Sequence, residues 1–114
     1  MELKMIEKRA SLGVNPPEGS LAINQMNQVK IGRIIDISAT GFLLAGREKI
    51  NSGMIFQLEL LIVGQKNAQI NVGAECVWVD LQTSGLSIAG FHIIDISAQD
   101  NHNLDAIIAQ LTGY

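Results

Sequence analysis

The chain has 114 residues, enough to bury roughly two thirds of its unfolded surface around one core, so neither a metal nor a disulfide is required for folding. Its single cysteine, Cys76, excludes an internal disulfide and suits a reducing compartment. The formal net charge of −3 hides an asymmetry: every Lys and Arg lies at or before Lys66, which leaves no basic stripe for duplex nucleic acid and directs any anionic ligand to the first half.

Residues 1 to 19 read as an N-terminal arm. Glu2, Lys4, Glu7, Lys8 and Arg9 charge its beginning, and Pro16-Pro17 forces extended backbone before the fold starts. No apolar run approaches the ~18 residues of a membrane span, so membrane insertion is not expected and the location is expected to be cytoplasmic.

Residues 20 to 114 read as strand after strand. Leu21 and Ile23 alternate with Ala22 and Asn24, and a turn follows near Met26 to Gln28. Val29, Ile31, Arg33 and Ile35 then fall on one face of a second strand, with Lys30, Gly32, Ile34 and Asp36 on the other, which places Lys30 and Arg33 on opposite sides. Phe42 to Ala45 is a short third strand, closed by the polar turn Gly46-Arg47-Glu48-Lys49. In the fourth, Met54 to Val63, the residues Phe56, Leu58, Leu60 and Ile62 share one face, and Ile55, Gln57 and Glu59 share the other.

Gly64-Gln65-Lys66-Asn67 turns the chain into a fifth strand, Gln69 to Asp80, with Ile70, Val72, Ala74, Cys76 and Trp78 in register. Leu86 to Ile94 is the sixth. The period then changes: Leu104, Ile107, Ile108 and Leu111 form a helical stripe, with Ser97 at the N-cap, Asp100 three residues on in a capping-box-like pair, and Gly113 at the stop. Six short strands and one helix predict an all-β fold, a small antiparallel barrel or strongly curved sheet with a C-terminal helix over an open end or flank. With 4% aromatic residues the core is expected to be aliphatic, with Trp78 either its largest anchor or a cover over the barrel mouth.

One stretch stands out because its first six letters occur twice. Ile34-Ile35-Asp36-Ile37-Ser38-Ala39 runs on into Thr40-Gly41, whereas Ile93-Ile94-Asp95-Ile96-Ser97-Ala98 runs into the helix. In the first copy Gly41 marks a tight turn expected to need positive φ, and Asp36 and Ser38 can face the same way. A carboxylate at Asp36 matches adjacent N–H donors such as those of guanine, and Ser38 can donate to a phosphate oxygen or close a turn. The same residue types are also the ordinary furniture of turns.

Asp36-Ile37-Ser38-Ala39-Thr40-Gly41, then Glu75-Cys76-Val77-Trp78, then Gly90-Phe91-His92-Ile93-Ile94-Asp95-Ile96-Ser97 together resemble the PilZ domain family, over the span from Lys8 to Leu111. The resemblance implies a six-stranded antiparallel PilZ-like barrel with one C-terminal helix and, in many members, a bacterial receptor for cyclic di-GMP (c-di-GMP). It also implies a ligand site of Arg9, Asp36, Ser38 and Gly41, with arginines of an Arg-x-x-x-Arg motif on the arm folding over the dinucleotide. Arg9 matches the first arginine; Gly13 stands in place of the second. Losing one charge-assisted anchor costs about 2 to 5 kcal/mol, so nucleotide binding is expected to be weak or conditional. Lys8, Lys30, Arg33 or Arg47 would replace it only in part, and if this vacancy is what limits affinity, an arginine installed at position 13 is expected to tighten binding.

The expected function is a signal-transduction module, a cyclic di-GMP receptor or adaptor that acts on a partner protein. The alternative is a PilZ-like protein that binds no nucleotide and works through protein contacts alone. An enzyme is not expected, and no cofactor or metal: His92 and His102 have no neighbouring ligand set, and Cys76 lies in an apolar run without a local base.

Overall fold

The computed structural model describes residues 13–64 and 67–113. Arg9, Lys8 and most of the arm lie outside the described residues, as do Gln65 and Lys66 of the hairpin turn. Among the described residues six strands, β1 (Leu21–Asn24), β2 (Lys30–Ile37), β3 (Gly41–Gly46), β4 (Ile55–Ile62), β5 (Ala68–Leu81) and β6 (Ser87–Ile96), precede one helix, α1 (Ala98–Leu111). All neighbours are antiparallel, and the order β1-β2-β3-β6-β5-β4 closes on itself as a barrel. The six-stranded barrel with a C-terminal helix is the predicted architecture.

Closure follows from the alternation. In β4, Leu58, Leu60 and Ile62 are buried and Phe56 packs on the core, while Ile55 and Gln57 are exposed. Ile70, Val72, Ala74 and Cys76 of β5 face them inside the barrel, as expected. The interior is aliphatic around a phenylalanine group: Phe42 and Phe91 stack at 5.3 Å between ring centroids, and Phe56 meets Phe91 edge-on at 6.0 Å.

Where strict alternation was expected, four β-bulges change it. Ile31 is the extra residue opposite β1, Ile35 opposite β3, and Val77 and Ile94 interrupt the β5–β6 ladder. A bulge puts two residues against one and so switches which face the following side chains occupy. In β2 the buried set is therefore Ile31, Ile34 and Ile37, three apart, rather than Ile31 with Arg33 and Ile35. Lys30 and Arg33 are both exposed and thus both on the outer surface, which corrects their expected separation onto opposite sides. In β1 the residue that enters the core is Ala22, not Leu21 or Ile23.

The helix begins as the sequence predicts. Ser97 Oγ accepts from Asp100 N at 3.0 Å, and Leu104 is fully buried in the barrel core, with Ile107, Ile108 and Leu111 packed beside it. The capping-box-like pair is realised differently: Asp100 Oδ2 accepts from the backbone N of Asn71 at 3.1 Å. β6 ends opposite Val72, so Asp100 satisfies a β5 donor beyond the end of its partner strand and ties the helix to the barrel. Gly113, with φ 89°, ends α1 as expected.

Candidate functional site

The first Asp-Ile-Ser copy lies at the end of β2, where the described part of the arm docks. Val14 and Ile37 exchange both backbone hydrogen bonds at 2.9 Å, and Asn15 Nδ2 donates to Ile35 O at 2.7 Å. Ile35 is the bulged residue, so Asn15 holds the carbonyl of the irregularity immediately before Asp36. Ile37 is fully buried and anchors the strand end; Asp36 before it is half-buried on the outer face, and Ser38 after it is buried in the turn.

Asp36 is half-buried, with its Oδ1 shielded from solvent. Gly13 lies directly against it: a Cβ at position 13 would coincide with the Asp36 carboxyl group. A side chain at position 13 requires the Asp36 carboxyl group to turn aside, so the effect of an arginine there on binding depends on whether that carboxylate gives way.

Ser38 and Gly41 build the turn. Ser38 Oγ accepts from Gly41 N at 3.2 Å and Thr40 N at 3.3 Å, lies 3.2 Å from Gly41 O as donor, and is nearly buried; Ser38 N also donates to Gly41 O at 2.8 Å. Its hydroxyl thus closes the β2–β3 turn. Gly41 does not have the expected positive φ, which among glycines falls at Gly19, Gly53, Gly85 and Gly113. Its small size serves another purpose, because a Cβ at Gly41 would run into the carbonyl oxygen of Phe91 on β6.

The ladder registers extend the site across the barrel's outside. Asp36 pairs with Leu43, Leu43 with Gly90 and Gly90 with Trp78, forming one row over β2, β3, β6 and β5. Trp78 belongs to the outer face because the bulge at Val77 turns it there, and its indole lies on Gly90, where a Cβ would meet the ring. It is neither the core anchor nor a cover over the mouth. The ring ends up over Gly90, about 10 Å from Asp36, or two strand spacings. Sequence reading missed Trp78 as an outer-face residue; the signal was four consecutive apolar residues, Cys76-Val77-Trp78-Val79, in an otherwise alternating strand.

Other candidates are not brought together. Arg47 donates to Ser84 O at 2.8 Å, well away from Asp36 in sequence and held by another loop. His92 is exposed on β6 and His102 is exposed on α1, and the described residues contain no group of three His, Cys, Asp or Glu able to hold a metal ion. Cys76 is buried, with its thiol directed at Trp78 O at 3.4 Å; burial is the main cause that pushes its pKa up, the Glu75 charge adds to this, and the bond to Trp78 opposes it. No described helix is long and apolar enough to cross a membrane.

Comparison with known proteins places this geometry. The sequence model of the PilZ domain matches residues 8–110, whereas no curated protein matches the chain. The chain is similar to the PilZ domain of YcgR from Escherichia coli, solved with c-di-GMP (TM-score 0.69, 15% identity, 91% of each chain covered). It is also similar to the Bacillus subtilis inhibitor of motility MotI/DgrA (TM-score 0.70, 18% identity, 92% of this chain and 53% of that one). The larger YcgR structure in complex with c-di-GMP gives a TM-score of 0.69 at 18% identity, over 91% of this chain and 46% of that one. This chain therefore spans about half the length of the last two. At these identities the structural likeness speaks for the barrel and its helix. The sequence match, which takes in nearly every described residue, speaks for descent: the chain belongs to the PilZ domain family.

Proposed function

We propose that the domain is a regulatory binding module that takes cyclic di-GMP on the outer face of the barrel, between the Asp36 turn and the N-terminal arm, and passes the signal to a partner protein. The observation that carries this reading is the Asp36 carboxylate, fixed on the outer face at the foot of the arm that leads back to Arg9. An ionised carboxylate accepts two N–H groups at once, as the Watson–Crick edge of guanine offers. Arg9 supplies a fork that suits phosphate or the guanine O6/N7 edge. Trp78, in the same outer row, offers a face on which a base stacks. Ser38 and Gly41 act through the turn they build, which sets the direction of Asp36.

Gly13 favours a second reading, in which the domain works by protein contact without nucleotide. With the arm backbone seated on Asp36, a ligand has to lift residue 13 or bind around it, so affinity is low. Calorimetric titration with cyclic di-GMP separates the two. The receptor reading expects heat at ligand concentrations up to about 100 μM, and loss of binding by roughly thirtyfold or more in Asp36→Ala. No heat from the unmodified protein would leave the protein-contact reading standing alone.

A further inference from the structure

A second surface continues the outer face beyond the Asp36 turn, on β4, β5 and β6, and borders that turn where Gly41 pairs with His92. Glu75 is its centre. It pairs with Ile55 across β4 and with His92 across β6, while Val77 follows it by two residues on its own strand and Ile94 follows His92 by two. Ile55, Ile94 and Val77 are 62%, 48% and 37% exposed, although a single exposed aliphatic residue would need no explanation. Three around one carboxylate form a patch. Two of them, Val77 and Ile94, are bulged residues, and the irregularity at Val77 is the one that turns Trp78 outward.

Immediately beside the patch is a groove of about 310 Å³. Gly73 lies between its two cross-strand neighbours Gln57 and Asp95, and Asn71 and Asp100, joined by the bond from Asn71 N to Asp100 Oδ2, line its end. None of the described residues lining it is Lys or Arg. The described cations, Lys30, Arg33, Arg47 and Lys49, belong to β2 and the β3–β4 connection, and β2 is diametrically opposite β5 in the strand order. Among the described residues of the patch and groove, Glu75, Asp95 and Asp100 are the charged side chains, with His92 as the nearest imidazole; the β3–β4 connection, which carries Arg47 and Lys49, meets the edge of the patch where Ser52 Oγ donates to Val77 O at 3.2 Å.

We propose that this face docks a basic amphipathic helix of a partner protein. Its aliphatic side chains rest on Ile55, Val77 and Ile94, and its Lys or Arg side chains reach Glu75 and enter the groove at Asp95 and Asp100. The closed barrel offers no free strand edge here, so a partner cannot add a strand and must dock on side chains. Complementary charge directs the encounter, and the apolar contacts hold it. This inference rests on reading the domain as an adaptor, but its test needs no nucleotide, so its failure and that of the nucleotide site are distinguishable.

The probe is a labelled synthetic peptide with Leu and Lys at helical spacing, followed by fluorescence anisotropy with the nucleotide-free full chain. Binding in the micromolar range is expected, falling with salt, and none for the matching Leu/Glu peptide. Glu75→Lys and Ile94→Asp should each weaken it roughly tenfold, whereas Glu48→Lys, the same charge change on the β3–β4 turn, should stay within about twofold. Equal losses in Glu48→Lys and Glu75→Lys would overturn the proposal, reducing it to net charge; so would equal binding of the two peptides. If Glu75→Lys does not fold, as judged by thermal unfolding, Ile55→Asn carries the same comparison. Sedimentation that shows a dimer abolished by Ile94→Asp would assign the face to a second copy of this chain and would equally overturn it.

Discussion

The two copies of Ile-Ile-Asp-Ile-Ser-Ala, at 34 to 39 and at 93 to 98, do the same thing locally and different things globally. Each carries a β-bulge at its second isoleucine, Ile35 and Ile94. In each the serine hydroxyl accepts from the backbone N–H three residues on: Gly41 N to Ser38 at 3.2 Å, Asp100 N to Ser97 at 3.0 Å. What differs is the continuation. After Ser38 a glycine lets β3 return against β6, and the arm crosses Asp36; after Ser97 a helix begins, and Asp95 is left exposed beside a groove. Six identical letters thus specify a strand end with an outward carboxylate, and long-range neighbours decide what that carboxylate meets.

This comparison can be broken by substitution, most strongly through stability. Gly41→Ala places a methyl group on the Phe91 carbonyl, a backbone atom that cannot step aside, and is expected to cost about 1–3 kcal/mol in urea unfolding; the counterpart position in the second copy, Asp100, tolerates a β-carbon by definition. Ser38→Ala should cost about 1–2 kcal/mol, because two N–H groups in a nearly buried turn lose their acceptor. Ser97→Ala, an exposed helix cap, should cost about 1 kcal/mol or less. Equal costs at the two serines would mean that the turn at Ser38 is no more demanding than the cap.

A smaller effect concerns Cys76. Its pKa is raised in the folded chain, chiefly by burial, so the native state keeps its proton at pH values where the unfolded thiol has ionised. Its contribution to stability is complete below the unfolded thiol's ordinary range and is lost as pH rises through and above it. Urea midpoints measured from pH 8 to pH 10 should show a decline that is shallower in Cys76→Ala. A slope unchanged by the substitution would contradict the assigned cause.

The barrel was legible in the sequence because alternation in β4 and β5 is a local signal: Leu58, Leu60 and Ile62 against Ile70, Val72, Ala74 and Cys76 need no partner to be recognised. The helix was legible for the same reason, through Ser97 and the stripe ending at Leu111. The bulges were not, since an extra isoleucine or valine in a β-rich run looks like any other strand residue. That is why Trp78 moved from the core to the surface and why Lys30 and Arg33 share the outside. Gly13 shows a second limit: its contact with Asp36 links positions far apart in sequence, and a glycine that reads as a lost arginine lies directly against the carboxylate. Gly13→Ala should therefore disturb Asp36, and Gly13→Arg should fail to tighten cyclic di-GMP binding; tightening would show that the carboxylate gives way.

The first copy is proposed to bind cyclic di-GMP and the second is not. Calorimetric titration of cyclic di-GMP into the unmodified chain, Asp36→Ala and Asp95→Ala tests it directly. Binding that falls roughly thirtyfold or more in Asp36→Ala and is unchanged in Asp95→Ala is the predicted result. Binding weakened equally by both substitutions, or absent from the unmodified chain, would contradict it.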